Sequence, residues 1–208
     1  MSEAVLVTVV GHVATISLNR AQVHNAFDDA LIADLTAALL GVEHNPAVRV
    51  VVLTGIGASF SAGADLNWMR GMAQASEADN RTDSLRLATL MRTLNFLSKP
   101  TIARVNGSAY GGGVGLVACC DIAIAADGVR FALSEVKLGL VPAVISPYVV
   151  GAIGLRQARR LFVTGEVFDA PAALAMGLVH EAVPADDLDT AVERVLDLLT
   201  KGGPVAQA

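Results

Sequence analysis

The stretch AYGGGVGLVACCD, Ala109–Asp121, sets three consecutive glycines, Gly111–Gly113, and a fourth, Gly115, at the mouth of an apolar run. A glycine inside a helix or strand is roughly 0.5–1 kcal/mol less favourable than alanine, so the cluster needs a physical reason. Gly113-x-Gly115-x-x-Ala118 fits a loose dinucleotide fingerprint. That fingerprint turns directly out of a strand, whereas here the strand ends near Asn106 and the match lies inside an apolar helix. A phosphate-binding loop requires Gly-Lys-Ser/Thr, which is absent. Close packing of a helix is a third reading and needs no ligand. The fourth is a helix N-terminus left bare so that a ligand oxygen can reach its unpaired N–H groups. Such a site holds phosphate, or a carbonyl oxygen that becomes negative during reaction.

A second loop of the same kind, FSAGADL at Phe60–Leu66, also follows a strand, carries small residues and opens a helix near Asp65. Two such loops can each direct one N–H at one oxygen. Around them, strands alternate with helices. AVLVTVVGHVATISLN reads as two strands with a turn at Gly11-His12, DDALIADLTAALLGVEHN as a helix, and Arg49–Gly55 as a fully apolar strand. The segment AQASEADNRTDS is the most hydrophilic of the chain and precedes a helix, LRLATLMRTLNFLSK, stopped by Pro100. TIARVNG and DIAIAAD are strands on either side of the glycine stretch, and VRFALSE is a short strand or turn. Helices are expected at 146–153, 156–163 and 169–175, then a short strand, LVHEAVP, and an amphipathic helix, DDLDTAVERVLDLLTK. This alternation predicts an α/β fold with largely parallel pairing.

The totals agree with one core-forming chain. The sequence has 208 residues, 53% hydrophobic and 17% charged, with net charge −5. No basic cluster suggests nucleic acid as a partner. No apolar run reaches the roughly 18–20 residues that span a bilayer, so no membrane partner is expected. MSEAVLVTVV lacks the basic region of a secretory leader. The cysteines are Cys119 and Cys120 alone. They read as reduced, small core residues, consistent with a cytoplasmic setting. His12, His24, His44 and His180 have no ligand spacing, and no metal is expected.

Taken jointly, FSAGADL, KPTIARVNGSAYGGGVGLVACCDIAIAAD and RFALSEVKLGLVP, in this order and spacing, resemble the enoyl-CoA hydratase/isomerase (crotonase) family. TISLNRAQVHNAF resembles the family's L-N-R-P…N-A stretch. The likeness runs from about Val5 to Pro184. It implies a crotonase-like spiral of ββα units over residues 1–185. Residues 186–208 would begin a helical C-terminal region, apparently incomplete here. It also implies assembly as a homotrimer or a dimer of trimers, and an acyl-CoA substrate with no separate cofactor.

The resemblance also implies roles. The N–H groups of Ala64 and Gly112 would hold the thioester oxygen, and Glu135 would be the general acid/base. Ala62, Ala64, Asp65 and Leu66 would contact CoA, and Gly111, Gly115 and Pro142 would border the acyl group. One position departs from the pattern: a two-glutamate hydratase has its first glutamate where this chain has Gly115. Asp121 belongs to the end of the helix, where the family also has Asp. A single glutamate is the pattern of Δ3,Δ2-enoyl-CoA isomerases as well, and a non-catalytic acyl-CoA-binding paralogue is a further alternative. The stretches SAGADLNWM and GLVPAVISPYVV look like the bacterial methylglutaconyl-CoA hydratase-like branch. Family members continue with further helices after the element matching Asp186–Lys201. The apolar face of that helix (Leu188, Val192, Val195, Leu196, Leu199) is therefore expected to want a partner beyond Ala208.

Overall fold

The computed structural model describes residues 4–208; Met1–Glu3 lie outside them. The chain runs as repeated ββα units. The first is an antiparallel hairpin, β1 (Val5–Val10) and β2 (Val13–Leu18), followed by α1 (Asp29–Glu43). Next come β3 (Val50–Gly55), β4 (Ser59–Ser61), α2 (Leu66–Met72) and α3 (Glu77–Asn95). The third unit is β5 (Thr101–Val105), β6 (Ser108–Tyr110) and α4 (Gly112–Cys119). The fourth is β7 (Ile122–Ala126), β8 (Arg130–Ala132), a 3-10 turn at Ser134–Leu138 and α5 (Ser146–Thr164). The chain then forms β9 (Val167–Asp169), α6 (Ala170–Met176), β10 (Glu181–Val183), α7 (Leu188–Lys201) and α8 (Pro204–Gln207).

Each unit places its first strand in one sheet and its second in another. The larger sheet has the order β1-β2-β3-β5-β7-β10 and the smaller β4-β6-β8-β9. Apart from the β1–β2 and β8–β9 pairs, neighbours are parallel. Both sheets therefore advance in chain order, which makes the path a spiral. Every residue of β3 is buried, as expected of a parallel strand covered on both faces. Leu31, Leu35 and Leu39 of α1 and Leu90, Met91 and Leu94 of α3 complete the core on the helical side.

Several local expectations are adjusted. Phe60–Leu66 is not all loop, because β4 occupies its start. The helix expected from Leu85 starts earlier, inside the polar segment: Ser76 caps α3 by accepting the Asp79 N–H, and the helix begins at Glu77. The helices expected at 146–153 and 156–163 form one run broken at Gly154, whose φ is +75°. The apolar face of α7 lies against the core. Leu188, Ala191, Val192 and Val195 are buried within the core, with Leu196 and Leu199 packed against it. Arg104 fixes that helix through a 2.6 Å ion pair with Asp189, and Arg49 donates to the Thr200 carbonyl at 2.8 Å.

Candidate active site

The smaller sheet assembles the site. In it β4 and β6 pair in parallel with Ser61 opposite Ala109, and β6 and β8 pair in parallel with Tyr110 opposite Ala132. Three residues beyond the first pair, on either strand, stand Ala64 and Gly112; three beyond Ala132 stands Glu135. The loops leave neighbouring strands at their carboxyl ends, the usual place for a ligand in open parallel sheets.

Ala64 is held by Phe27 in an isolated parallel bridge. The Phe27 N–H donates to the Gly63 carbonyl at 2.6 Å, and the Asp65 N–H donates to the Phe27 carbonyl at 2.8 Å. Both bonds of the bridge belong to Phe27, so the Ala64 N–H faces the opposite side. Gly63 has φ +80°, and a Cβ there would lie 2.7 Å from the Tyr110 carbonyl oxygen. The two loops therefore abut backbone to backbone. Gly111 caps α4 with φ +50° and ψ −119°, a conformation open to glycine and hard for other residues. Its N–H donates to the Ala132 carbonyl at 2.9 Å. Gly112 is the first residue of α4, where the N–H has no partner within the helix. Among the described residues, neither the Ala64 nor the Gly112 N–H meets a protein acceptor.

Glu135 sits in the 3-10 turn after β8. A Cβ on Gly111 would lie 3.2 Å from Glu135 Oε1, so the carboxylate lies over the N-terminus of α4. Its Oε2 is buried and without a hydrogen-bond partner. Burial raises its pKa above the ordinary value, partly opposed by its own backbone N–H. A half-buried carboxyl with an unanswered oxygen and a raised pKa is suited to taking up and returning a proton.

The other expected residues take quieter places. Asp65 caps α2, accepting the N–H groups of Asn67 at 2.8 Å and Trp68 at 3.3 Å. It also lies 3.8 Å from Arg20, which is paired at 2.8 Å with Asp28. The Ala62 N–H donates to the His24 carbonyl at 2.8 Å, and Leu66 is exposed. Pro142 is buried and its carbonyl accepts the Ser146 N–H at 3.0 Å. Asp121 accepts both the N–H and the hydroxyl of Thr101 at 2.7 Å, tying the end of α4 to β5. Cys119 is buried and Cys120 half-buried, and burial drives both thiols far above their usual pKa. Among the described residues, no three His, Cys, Asp or Glu are grouped to hold a metal ion.

Two participants are not visible in the sequence. Gly115 faces Ile145: a Cβ on Gly115 would lie 2.9 Å from Ile145 Cβ and 3.3 Å from Met91 Cε. The space a residue-115 side chain would enter is therefore filled by buried apolar groups. Phe27 is the other; a Cβ on Gly112 would lie 2.7 Å from its ring atom Cε2. Its place in N-A-F, Asn25–Phe27, is the only hint in the sequence. Two open clefts lie elsewhere, about 680 Å³ along Leu155–Arg160 and about 520 Å³ lined by Phe96, Val117, Tyr148 and Leu178. Neither borders Glu135.

The sequence profile described as enoyl-CoA hydratase/isomerase matches residues 9–208. A crystal structure of an enoyl-CoA hydratase from Shewanella pealeana superposes with a TM-score of 0.96 and 45% identity, over 98% of this chain and 76% of that one. A hydroxycinnamoyl-CoA hydratase-lyase of Pseudomonas fluorescens is 35% identical over 200 residues, spanning 94% of this chain and 72% of the relative. A short-chain-enoyl-CoA hydratase of Clostridium acetobutylicum is 32% identical over 198 residues, spanning 94% of this chain and 75% of the relative. Among the described residues, no helix is long and apolar enough to cross a membrane.

Proposed function

The chain belongs to the enoyl-CoA hydratase/isomerase family, and on that premise we propose that it adds water across the 2,3 double bond of an enoyl-CoA. The observation that carries this reading is that the N–H groups of Ala64 and Gly112, on abutting loops, meet no protein acceptor among the described residues, with the Glu135 carboxylate beside Gly111. In this reading the thioester oxygen lies between the two N–H groups. Ionised Glu135 takes a proton from water as the water oxygen bonds to C3. The double-bond electrons move toward C2 and the carbonyl, and the thioester becomes an enolate with negative charge on that oxygen. The enolate then collapses, C2 takes the proton from Glu135, and the carboxylate is regenerated. Two preorganised donors help most at the enolate, because hydrogen bonds to a charged oxygen are stronger than those to a neutral one. The Ala62–Leu66 loop would meet the CoA portion.

Ile145 favours a second reading. With its side chain in the place of a residue-115 acid, Glu135 is the one carboxylate assigned to the reaction. One base suffices for moving a proton between C2 and C4, the Δ3,Δ2-isomerisation. Hydration remains the leading assignment because the relatives are named hydratases. Within it, a branched, methylglutaconyl-type acyl group is the finer proposal, supported by the likeness of SAGADLNWM and GLVPAVISPYVV to that branch. A panel of enoyl-CoA thioesters decides, with loss of the conjugated thioester absorbance read separately from the 3-enoyl to 2-enoyl shift. Hydration of one or more 2-enoyl-CoAs is expected. Turnover of 3-enoyl-CoAs alone replaces it by isomerisation, and binding without turnover leaves an acyl-CoA-binding protein.

A further inference from the structure

We propose that Phe27 is a positioning residue that sets the distance between the two N–H donors; this rests on the oxygen-binding role assigned above to Ala64 and Gly112. Its two ends act on different loops. The backbone holds both hydrogen bonds that flank Ala64, through Gly63 and Asp65. The ring edge stands where a Cβ on Gly112 would be, 2.7 Å from Cε2. One residue thus touches both donor loops.

It is also rigidly held. Phe27 is 1% exposed, and Asn25, two residues before it, is fully buried. Asn25 has φ +55°, an uncommon left-handed conformation for a residue other than glycine. Its side chain donates to the carbonyls of Ile56 at 3.0 Å and Ser59 at 2.8 Å, and accepts the Arg20 N–H at 2.8 Å. The Ser61 hydroxyl donates to the Asn25 carbonyl at 2.9 Å. These bonds lock the segment before Phe27 onto the strand that leads to Ala64. A merely space-filling phenylalanine would stabilise the core without linking the two loops. A linking one keeps the donors at the separation an oxygen requires, and a displacement of 1 Å at such a site costs about 10²-fold in rate.

The test compares wild type with Phe27→Ala and Phe27→Leu, the second being the conservative variant if the first does not fold. Three readouts are used: steady-state hydration of crotonyl-CoA, the infrared carbonyl stretch of bound butyryl-CoA labelled with ¹³C at C1, and amide NMR of the ligand-free protein. In folded Phe27→Ala, kcat should fall on the order of 10²-fold with KM changed much less. The bound carbonyl stretch should move back toward its value in solution. The amide signals of Ala64 and Gly112 should both shift, and Phe27→Leu should recover much of each loss. Unchanged kcat in a folded variant, or an amide response confined to Gly112, overturns the proposal. Wild type that neither binds nor hydrates any enoyl-CoA overturns the hydratase reading instead. The amide measurement needs no ligand, so it tests the link between the two loops separately from the hydratase reading.

Discussion

Gly115 and Ile145 occupy one another's space: a Cβ on the glycine would stand 2.9 Å from the Cβ of the isoleucine, which is 3% exposed. Isoleucine is branched at Cβ and has little rotamer freedom with which to withdraw. Gly115→Ala should therefore destabilise the protein. Overpacking costs about 1–3 kcal/mol, against about 1 kcal/mol gained in helix propensity. Denaturant unfolding should show a lower midpoint, and the loss should shrink when measured in an Ile145→Ala background. Gly115→Glu should be worse, because it also buries an unpaired carboxyl. If Gly115→Glu keeps wild-type stability and speeds hydration, Ile145 is not what closes that position.

Glu135→Gln keeps the side-chain shape and removes the proton carrier. Turnover should fall at least about 10²-fold, the lower range for general acid–base catalysis. Acyl-CoA affinity, measured by calorimetry with butyryl-CoA, should survive. Near-normal turnover in the variant would take Glu135 out of the mechanism.

The raised pKa of Glu135 has a definite sign for stability. The unfolded carboxyl ionises near its ordinary 4.5, while the folded one holds its proton to higher pH. Across that window the folded state binds more protons, so wild type loses stability as pH rises. Glu135→Gln has no such group. Its stability relative to wild type should increase from below pH 4.5 upward through the folded pKa and then level off. Thermal melts in a pH series check this. Activity should show the matching acid limb, with a midpoint above 4.5, because the ionised form takes the proton from water. An activity midpoint at or below the ordinary value would contradict the burial argument.

Gly112→Pro deletes one donor. The first helical position suits proline, whose missing N–H would be unpaired there in any case. Both Gly112→Pro and Gly112→Ala bring a Cβ against the Phe27 ring, but only the alanine keeps the N–H. Gly112→Pro should therefore lose on the order of 10²–10³-fold in kcat beyond whatever Gly112→Ala loses, with butyryl-CoA affinity affected far less. Equal kcat in the two folded variants would make the glycine a packing residue only.

Asp65 is expected to act through α2. Asp65→Ala removes the acceptor for the Asn67 and Trp68 N–H groups and should cost about 1 kcal/mol, typical of a lost N-cap. Asp65→Asn keeps a capping oxygen and gives up only the charge facing Arg20, so its unfolding midpoint should stay near wild type. Equal losses in both would move the role of Asp65 from the cap to the ion pair.

The sequence alone determined the order of the major elements and the two glycine-bearing loops, because those signals are local. The apolar run of β3 sits next to the structure it causes, as does the break in α5 at Gly154, whereas the helix expected to run to Pro100 ends at Asn95. Only the resemblance pointed to Glu135 as the acid/base and to Gly115 as a position without one. The three-residue strands β4 and β6 were not, since so short a strand has no periodicity to read. Nor was the start of α3 at Glu77, where a polar, exposed helix is set by its Ser76 cap rather than by an apolar stripe. Tertiary structure alone decided which residues meet. Parallel pairing of β4, β6 and β8 puts Ala64 and Gly112 three residues, and Glu135 four, beyond one row of the sheet. It also brings Phe27 between two loops that follow it far along the chain, and covers α7 with the core. The physical reason is that sheet register and close packing act between segments distant in sequence, so a residue such as Ile145 shows its purpose only when Gly115 stands opposite it.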